Sequence, residues 1–90
     1  MTSDVAVRHD PQNKMFYIDG DGGRAYLSYM DLGKQTMDIY RTFVPDARRG
    51  HGLAARLAAE ALNYAQERGY TVIASCSYVE RYMQRQQERG

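Results

Sequence analysis

Two glycines and two arginines near the middle of the chain could bind a negatively charged group. Residues 48–54 read Arg-Arg-Gly-His-Gly-Leu-Ala, between an alternating, strand-like run and an alanine- and leucine-rich run typical of a helix. The first amides of a helix have no acceptor within it, and together with the helix dipole they favour a phosphate there. Gly50 and Gly52 let the backbone approach a ligand closely, while Arg48 and Arg49 add cationic donors. This pattern predicts that the turn binds the pyrophosphate of a nucleotide-like ligand.

Reactive side chains follow the last predicted strand, at Cys76, Ser77 and Tyr78. A thiol can act as a nucleophile or a thiolate base if a nearby cation or a helix N-terminus lowers its pKa from about 8.5. Cysteine is also common as a small buried apolar residue, so a reactive and a packing role of Cys76 both stay open. Because Cys76 is the only cysteine of the chain, an internal disulfide and a cysteine-cluster zinc site are excluded.

Other glycine-rich ligand sites fit the residues less well. A kinase-type phosphate loop needs Lys-Ser or Lys-Thr after its last glycine, where this chain has Leu53. The spacing from Gly50 to Ala55 fits a dinucleotide-binding turn, but the next predicted strand lacks the acidic residue that such a site needs. A calcium loop beginning at Asp19 would place Gly23 and Met30 where ligands are required. We therefore expect no metal site.

Short runs of alternating residues, separated by turn residues, predict strands joined as hairpins. We expect that Asp19–Gly23 and Asp31–Lys34 form hairpin loops. In the fourth strand, strict alternation predicts Met37, Ile39, Arg41 and Phe43 on one face. The predicted strands cover Val5 to His9, Met15 to Ile18, Arg24 to Met30, Gln35 to Val44 and Tyr70 to Ser75.

One long helix is predicted between the last two strands, from about Gly52 to Gly69, which is a good C-terminal stop. A polar helix is predicted over Glu80 to Glu88. A strand, a crossover helix and a strand of this length form a right-handed unit with parallel strands. The prediction is an α+β fold with a mixed, mostly antiparallel five-stranded sheet, strands four and five parallel, one crossover helix and a C-terminal helix.

Length and composition indicate an ordinary globular protein. Ninety residues are enough for a single domain, 1–90. Hydrophobic residues make up 43% of the chain and charged residues 26%, which are ordinary proportions for a globular protein. No apolar run approaches the roughly 18 residues of a membrane span and no leader opens the chain, so we expect a cytoplasmic protein without membrane association. With a net charge of only +1, a small phosphorylated ligand suits the arginines better than nucleic acid.

Three segments together carry a resemblance to a known family. They are the strand and turn Met37–Pro45, then Arg49-Gly50-His51-Gly52-Leu53-Ala54, and then Ser75-Cys76-Ser77-Tyr78-Val79. The central segment resembles motif A of the GNAT superfamily of N-acetyltransferases, and the whole chain resembles its very short, single-domain YjdJ-type branch. The predicted hairpin from Phe16 to Tyr29 also matches, so the likeness covers nearly all of the sequence.

The resemblance implies acetyl-CoA as cosubstrate and transfer of acetyl to an amine. It implies that strands four and five splay apart and that the pantetheine arm pairs with strand four, while the pyrophosphate lies on the turn. Tyr78 would then protonate the departing CoA thiolate, or else pack on the last helix, and Cys76 is the other candidate catalytic residue. The implied cofactor-binding residues are Phe43, Val44, Arg48, Arg49, Gly50, His51, Gly52, Leu53 and Ala54.

Two positions depart from the pattern of the superfamily. Ala47 stands where a glutamine or arginine is frequent, and Arg41 stands where short relatives carry a histidine that could accept a proton. The alternatives are therefore a CoA-binding module without efficient catalysis and, further off, a nucleic-acid-binding adaptor that uses the arginine cluster. His9 is expected to be structural. We expect a monomer whose acceptor is an amine of a protein or a small molecule.

Overall fold

The fold is known from a computed structural model, which describes residues 6–89. A five-stranded sheet in the order β1-β2-β3-β4-β5 lies against two helices. Neighbouring strands are antiparallel up to β4, and β5 runs parallel to β4. This is the predicted fold. The elements are β1 (Arg8–Asp10), β2 (Met15–Ile18), β3 (Ala25–Gly33), β4 (Thr36–Phe43), a 3-10 turn (Asp46–Arg48), α1 (Leu53–Arg68), β5 (Thr71–Ala74) and α2 (Ser77–Arg89).

The buried core lies between α1 and one face of the sheet. Leu57 and Ala61 of α1 are fully buried, as are Leu27 of β3 and Ile39 of β4. Apolar residues at spacings of three and four along α1 give the helix one apolar stripe, which is the side that a sheet can cover. Gly69 ends α1 at φ 74°, and its amide bonds back to the carbonyls of the last turn, so the predicted stop is confirmed.

The two helices share this face of the sheet. Val79 of α2 is fully buried and belongs to the same apolar cluster as Leu57. On the opposite face, Met30, Tyr40 and Ile73 are 49%, 47% and 46% exposed. The opposite face is therefore open to solvent in the described part of the chain.

A β-bulge interrupts the alternation of β4 at Tyr40. Ser28 of β3 pairs with Arg41, but the next residue, Tyr29, pairs with Ile39, so Tyr40 is an extra residue in β4. An extra residue reverses which face each following side chain points to. The prediction that Arg41 and Phe43 share the face of Ile39 is therefore wrong, because strict alternation assumes an unbroken ladder. Thr42 and Val44 take that face instead.

β4 and β5 separate beyond the middle of β4, as predicted. Their ladder runs from the pair Thr36 and Thr71 to the pair Ile39 and Ala74 and ends there. The amides of Ser75 and Cys76 both donate to the Ile39 carbonyl, at 3.0 Å each, and close the contact. Within residues 6–89, no strand lies on the β5 side of the rest of β4, so an extended ligand can approach that edge. There the Thr42 amide bonds to the Cys76 sulfur, and the Val44 carbonyl accepts from the exposed Arg49 side chain.

Three element boundaries differ from the sequence prediction by three residues, and the others by one at most. β1 begins at Arg8, whereas the predicted strand began at Val5, which lies outside the described residues. β3 continues to Gly33, because the tight turn between β3 and β4 needs only Lys34 and Gln35, at φ 52° and 56°. A two-residue turn with positive φ matches the twist of the strands it joins, which explains the longer strand and the shorter loop.

The third difference is the start of α2, which begins at Ser77 and not at Glu80. The Cys76 carbonyl accepts the first helical hydrogen bond, from the Glu80 amide at 3.0 Å. Burial of Val79 against the core fixes this first turn, and that contact is made between segments distant in the sequence. Cys76 is thus the residue that opens the helix, and Tyr78 lies within its first turn.

Candidate functional site

The turn between β4 and α1 has the bare backbone that the sequence predicts. Gly50 has φ 86° and Gly52 has φ 73°, both in the left-handed region that favours glycine. A Cβ built on either glycine would meet no atom within 4 Å, so both face open space. Gly52 caps α1 without any side-chain hydrogen bond. The helix therefore begins with its amides uncovered.

The uncovered amides begin at Gly50. The amides of Arg48 and Arg49 donate to Pro45 and Asp46 carbonyls within the 3-10 turn, at 2.9 and 3.3 Å. The Arg56 amide bonds to the Gly52 carbonyl at 3.1 Å and is the first that helical bonding satisfies. Within the described residues, the amides of 50–55 thus donate to no protein carbonyl. These donors lie at the positive end of the dipole of a 16-residue helix.

A cleft of about 300 Å³ opens between this turn, the free edge of β4 and the first turn of α2. Phe43 and His51, two of the predicted cofactor-binding residues, do not line it. Phe43 packs its ring 5.5 Å from that of Tyr26, on the open face of the sheet, and His51 is exposed. The lining residues are Thr42, Val44, Arg48, Arg49, Gly50, Gly52, Leu53, Ala54, Ala55 and Tyr78.

Thr42 and Ala55 are cleft residues that the sequence prediction missed. Ala55 carries one of the free amides of the first helical turn, which the helix start at Leu53 was sufficient to indicate. Thr42 reaches the cleft only because the bulge at Tyr40 reverses the last part of β4. No local signal in the sequence marks that bulge.

The two predicted cationic donors are engaged with the protein itself. Arg48 donates from Nη1 to the carbonyls of Ile18 and Gly23, at 2.9 and 2.7 Å. Arg49 donates from Nε to the Val44 carbonyl at 3.2 Å and forms an ion pair with Asp46 at 3.3 Å. Arg48 therefore spans from the turn to the loop after β2, while the exposed Arg49 bridges the two sides of its own turn.

The thiol of Cys76 lies next to the cleft, behind Thr42. Its Sγ is 3.5 Å from Oγ1 of Thr42. Burial raises the pKa of Cys76, but hydrogen bonds from the Thr42 hydroxyl and from the amides of Val79, Tyr78 and Thr42 outweigh it, so that the pKa is lowered. A cysteine at the start of a helix is placed where a thiolate is favoured. The Cys76 side chain is half-buried.

Tyr78 lines the cleft directly. Burial raises the pKa of its phenol above the ordinary value of 10.0, partly opposed by the charge of Arg85. The hydroxyl is therefore protonated at neutral pH and can donate a proton. The ring of Tyr82, one turn further along α2, lies 6.5 Å from that of Tyr78, measured between centroids.

His9 lies outside the cleft, in an aromatic cluster. Its ring stacks on Phe16 with centroids 4.1 Å apart, and its Nε2 is 2.7 Å from the hydroxyl of Tyr29. Burial, followed by the charge of Arg68, lowers the pKa of His9, against the effect of Asp10. These contacts agree with the structural role expected for it. Among residues 6–89, no group of three or more His, Cys, Asp or Glu side chains is arranged to hold a metal ion.

Comparison with known proteins identifies the family. A family model described as GCN5-related N-acetyl-transferase matches residues 15–89. The chain belongs to the GCN5-related N-acetyltransferase family. The matched segment contains the glycine turn, the splayed strands and both helices, so membership covers the whole cleft. It supports acetyl transfer as the class of activity.

The relatives match this family member over most of its length. Protein NATD1 of Xenopus tropicalis is 36% identical over 84 residues, which cover 91% of this chain and 77% of the relative. Protein NATD1 of Homo sapiens is 36% identical over 81 residues, covering 88% and 72%. A solution structure of a GCN5-like protein from Staphylococcus aureus superposes with a TM-score of 0.75 and 24% identity, over 97% of this chain and 85% of the other. That likeness confirms the fold.

In the part of this family member that the structure describes, no helix is both long and apolar enough to cross a membrane.

Proposed function

We propose that this family member binds acetyl-CoA in the cleft and transfers its acetyl group to an amine, and that residues 1–90 act as one domain. The observation that carries the proposal is that two sets of backbone groups, neither of them paired in a helix or with a neighbouring strand, open onto one cleft. The amides of 50–55 form one set, and the edge of β4 beyond Ile39 forms the other. A ligand with a diphosphate at one end and an extended amide chain at the other satisfies both sets.

The diphosphate fits the start of α1. Its negative charge interacts favourably with the dipole of α1, and the amides from Gly50 to Ala55 can donate to its oxygens. The pantetheine arm fits along β4, where Phe43 contributes backbone only and Thr42 and Val44 face the ligand. Pairing at the Val44 carbonyl requires the exposed side chain of Arg49 to leave that oxygen, which then frees the guanidinium for a phosphate.

Acetyl transfer needs a proton donor for the departing sulfur. The amine nitrogen attacks the thioester carbonyl, a C–N bond forms, and the C–S bond breaks to leave a thiolate. Tyr78 is the lining side chain with an acidic proton and a raised pKa, so it is assigned as the donor to that thiolate. The amine must lose a proton in the same sequence of steps, and that proton needs an acceptor.

Cys76 is the candidate acceptor group. Among the described residues, neither a histidine nor a carboxylate lines the cleft, and the strand position where short relatives carry histidine holds Arg41. The lowered pKa of Cys76 allows two roles. Its thiolate can take the proton of the amine, or it can take the acetyl group from CoA first and pass it to the amine afterwards. The two routes differ in whether an acetylated protein forms without acceptor.

Calorimetry with coenzyme A, followed by an assay of CoA release, tests the proposal. We expect heat of binding at a 1:1 ratio and release of CoA from acetyl-CoA with at least one of four acceptors: a lysine peptide, a free peptide N-terminus, a polyamine or a small amine. Mass measurement of the protein incubated with acetyl-CoA alone separates the two roles of Cys76. Absence of any heat with coenzyme A would refute the proposed function.

The same site supports a second candidate function, a CoA-binding module without efficient catalysis. The observation that favours it is the absence of an ordinary base among the described lining residues of the cleft. It predicts the same heat of binding but no acceleration of CoA release by any of the four acceptors.

A further inference from the structure

Arg48 connects the phosphate turn to a second loop that the proposed function does not use. Its backbone lies two residues before Gly50, yet its side chain crosses to the loop between β2 and β3. One nitrogen, Nη1, donates to the Ile18 carbonyl at 2.9 Å and to the Gly23 carbonyl at 2.7 Å. These two carbonyls lie at either end of the loop, so one guanidinium holds both ends.

The loop has glycines where it wraps around Arg48. A Cβ on Gly20 would lie 2.8 Å from Nη2 of Arg48, closer than such contacts allow. A Cβ on Gly22 would lie 3.0 Å from the Cγ of the same side chain, and Gly22 has φ 95°. On Gly23, a Cβ would lie 3.3 Å from Cγ of Pro45, at the start of the turn. The glycines thus make room for the turn and its arginine.

We propose that Arg48 is a positioning residue, which ties the Gly20–Gly23 loop to the turn and holds the amides of 50–55 in the geometry that binds a diphosphate. This inference rests on the proposed function, since it concerns the same ligand. The segment from Gly50 to Gly52 contains two left-handed glycines and has no side-chain cap. The hydrogen bonds made by Arg48 and Arg49 go to residues before it, so little within the segment itself restricts its conformation. A tether from outside limits the conformational freedom that binding would otherwise have to remove.

A direct electrostatic role of Arg48 is the competing explanation, because the side chain also borders the cleft. Gly20→Ala separates the two. It keeps the arginine and its charge, but its methyl group takes the space of Nη2 and displaces the guanidinium from the loop. The clash involves the end of a flexible side chain, so the fold is retained. If Arg48 acts by charge alone, a displaced guanidinium binds phosphate at least as well as before.

The experiment is calorimetry with coenzyme A on the full chain and three variants, each checked by thermal unfolding. Gly20→Ala and Arg48→Met should each weaken the affinity by about tenfold, the factor that about 1.4 kcal/mol gives. Arg48→Met keeps the aliphatic stem and removes only the guanidinium, and its affinity should keep the salt dependence of the wild type. Gly33→Ala, in a remote hairpin, is the control: it strains the backbone at φ 84° but adds a Cβ with no atom within 4 Å, and it should leave affinity unchanged.

The NMR signals of backbone amides report the conformation of the turn, and a loss of stability alone does not change them. In NMR spectra of the ligand-free protein, the amides of Gly50 and Gly52 should shift or broaden in Gly20→Ala and in Arg48→Met, but not in Gly33→Ala. Unchanged affinity in Gly20→Ala together with weaker binding in Arg48→Met would overturn the positioning role, and so would unchanged affinity in both. If the wild type itself gives no heat, the proposed function fails instead, and the amide signals still test the tether.

Discussion

The sulfur of Cys76 lies 3.5 Å from the hydroxyl oxygen of Thr42, which joins the start of α2 to the strand edge that lines the cleft. These residues are 34 positions apart in the sequence. The contact is possible because β4 and β5 separate after Ile39 and because the bulge at Tyr40 points Thr42 towards the helices. It places a cysteine of lowered pKa beside a residue that lines the cleft.

Thr42→Val should raise the pKa of the Cys76 thiol. The threonine hydroxyl donates to the thiolate in the charged state, and valine has the same shape without that donor. The rate of thiol alkylation against pH measures the pKa of this only cysteine. Thr36→Val, in the same strand but remote from the cleft, is the control and should leave the profile as in the wild type. A pH profile that is identical in all three proteins would contradict the assignment of the Thr42 hydroxyl as a hydrogen-bond donor to the Cys76 thiolate.

Cys76→Ala should abolish most turnover if the Cys76 thiolate accepts the proton of the amine or carries the acetyl group. A general base contributes about 10²–10⁴-fold, so a loss of at least about 100-fold in kcat is expected. Binding of coenzyme A should persist, because the contacts assigned to the diphosphate and the pantetheine arm come from the turn and from β4. Full turnover in Cys76→Ala would show that the cysteine has only a packing role, and the fold and ligand assignments would stand.

Tyr78→Phe should lower kcat by about 100-fold while the KM for acetyl-CoA changes little. Phenylalanine keeps the aromatic ring in the first turn of α2 but removes the proton that the thiolate needs. Steady-state kinetics at saturating acceptor measure the effects on kcat and on the KM for acetyl-CoA separately. Tyr82→Phe, one helical turn further along, serves as the matched control and should behave as the wild type. An equal effect of the two substitutions would indicate that both tyrosines act only by packing.

Gly50→Asp should abolish binding of coenzyme A. The left-handed backbone costs a non-glycine residue roughly 1–2 kcal/mol, and the new carboxylate would occupy and repel the diphosphate position. Gly33→Asp imposes a similar backbone cost, at φ 84° compared with 86°, without facing the cleft. Calorimetry should therefore give no heat for the first variant and wild-type affinity for the second. If Gly50→Asp still binds, the diphosphate does not lie on this turn.

Acidification should destabilise the fold through His9. Burial and then Arg68 lower the pKa of His9 from its ordinary 6.5, so the unfolded chain binds more protons than the folded one as pH falls through that value. The free energy of unfolding therefore decreases from pH 6.5 down to the folded-state pKa and is fully retained above 6.5. Urea unfolding at about pH 7.5 and about pH 5.5, where most carboxylates stay ionised, measures the loss.

His9→Gln is the variant for the same measurement. An amide can still bond to the hydroxyl of Tyr29, whose pKa burial raises to about 12, but it does not titrate. The difference in stability between the two pH values should therefore shrink in His9→Gln. His51→Gln, which changes an exposed histidine, should keep the wild-type difference. A pH dependence that persists in His9→Gln would mean that another group causes it.

Local signals were enough to predict most of the fold and the bare backbone of the glycine turn. Glycine at positions 50, 52 and 69 indicates left-handed backbone, and the turn residues between alternating runs indicate hairpins. These features depend on neighbours along the chain, which a sequence displays directly. The same holds for the unsatisfied amides at the start of α1, because any helix has them. The resemblance to the GNAT superfamily added the ligand that such a turn would hold.

Contacts between distant segments decided the rest. The bulge at Tyr40 depends on the ladder with β3, and it alone brings Thr42 and not Phe43 to the cleft. The start of α2 depends on burial of Val79 against α1, and the direction of Arg48 depends on carbonyls 25 and 30 residues away. Sequence spacing carries no information about such partners, because each is chosen by packing in three dimensions. The sequence by itself therefore determined the type and order of the elements and the glycine-bearing turn, and the tertiary structure determined which side chains meet there.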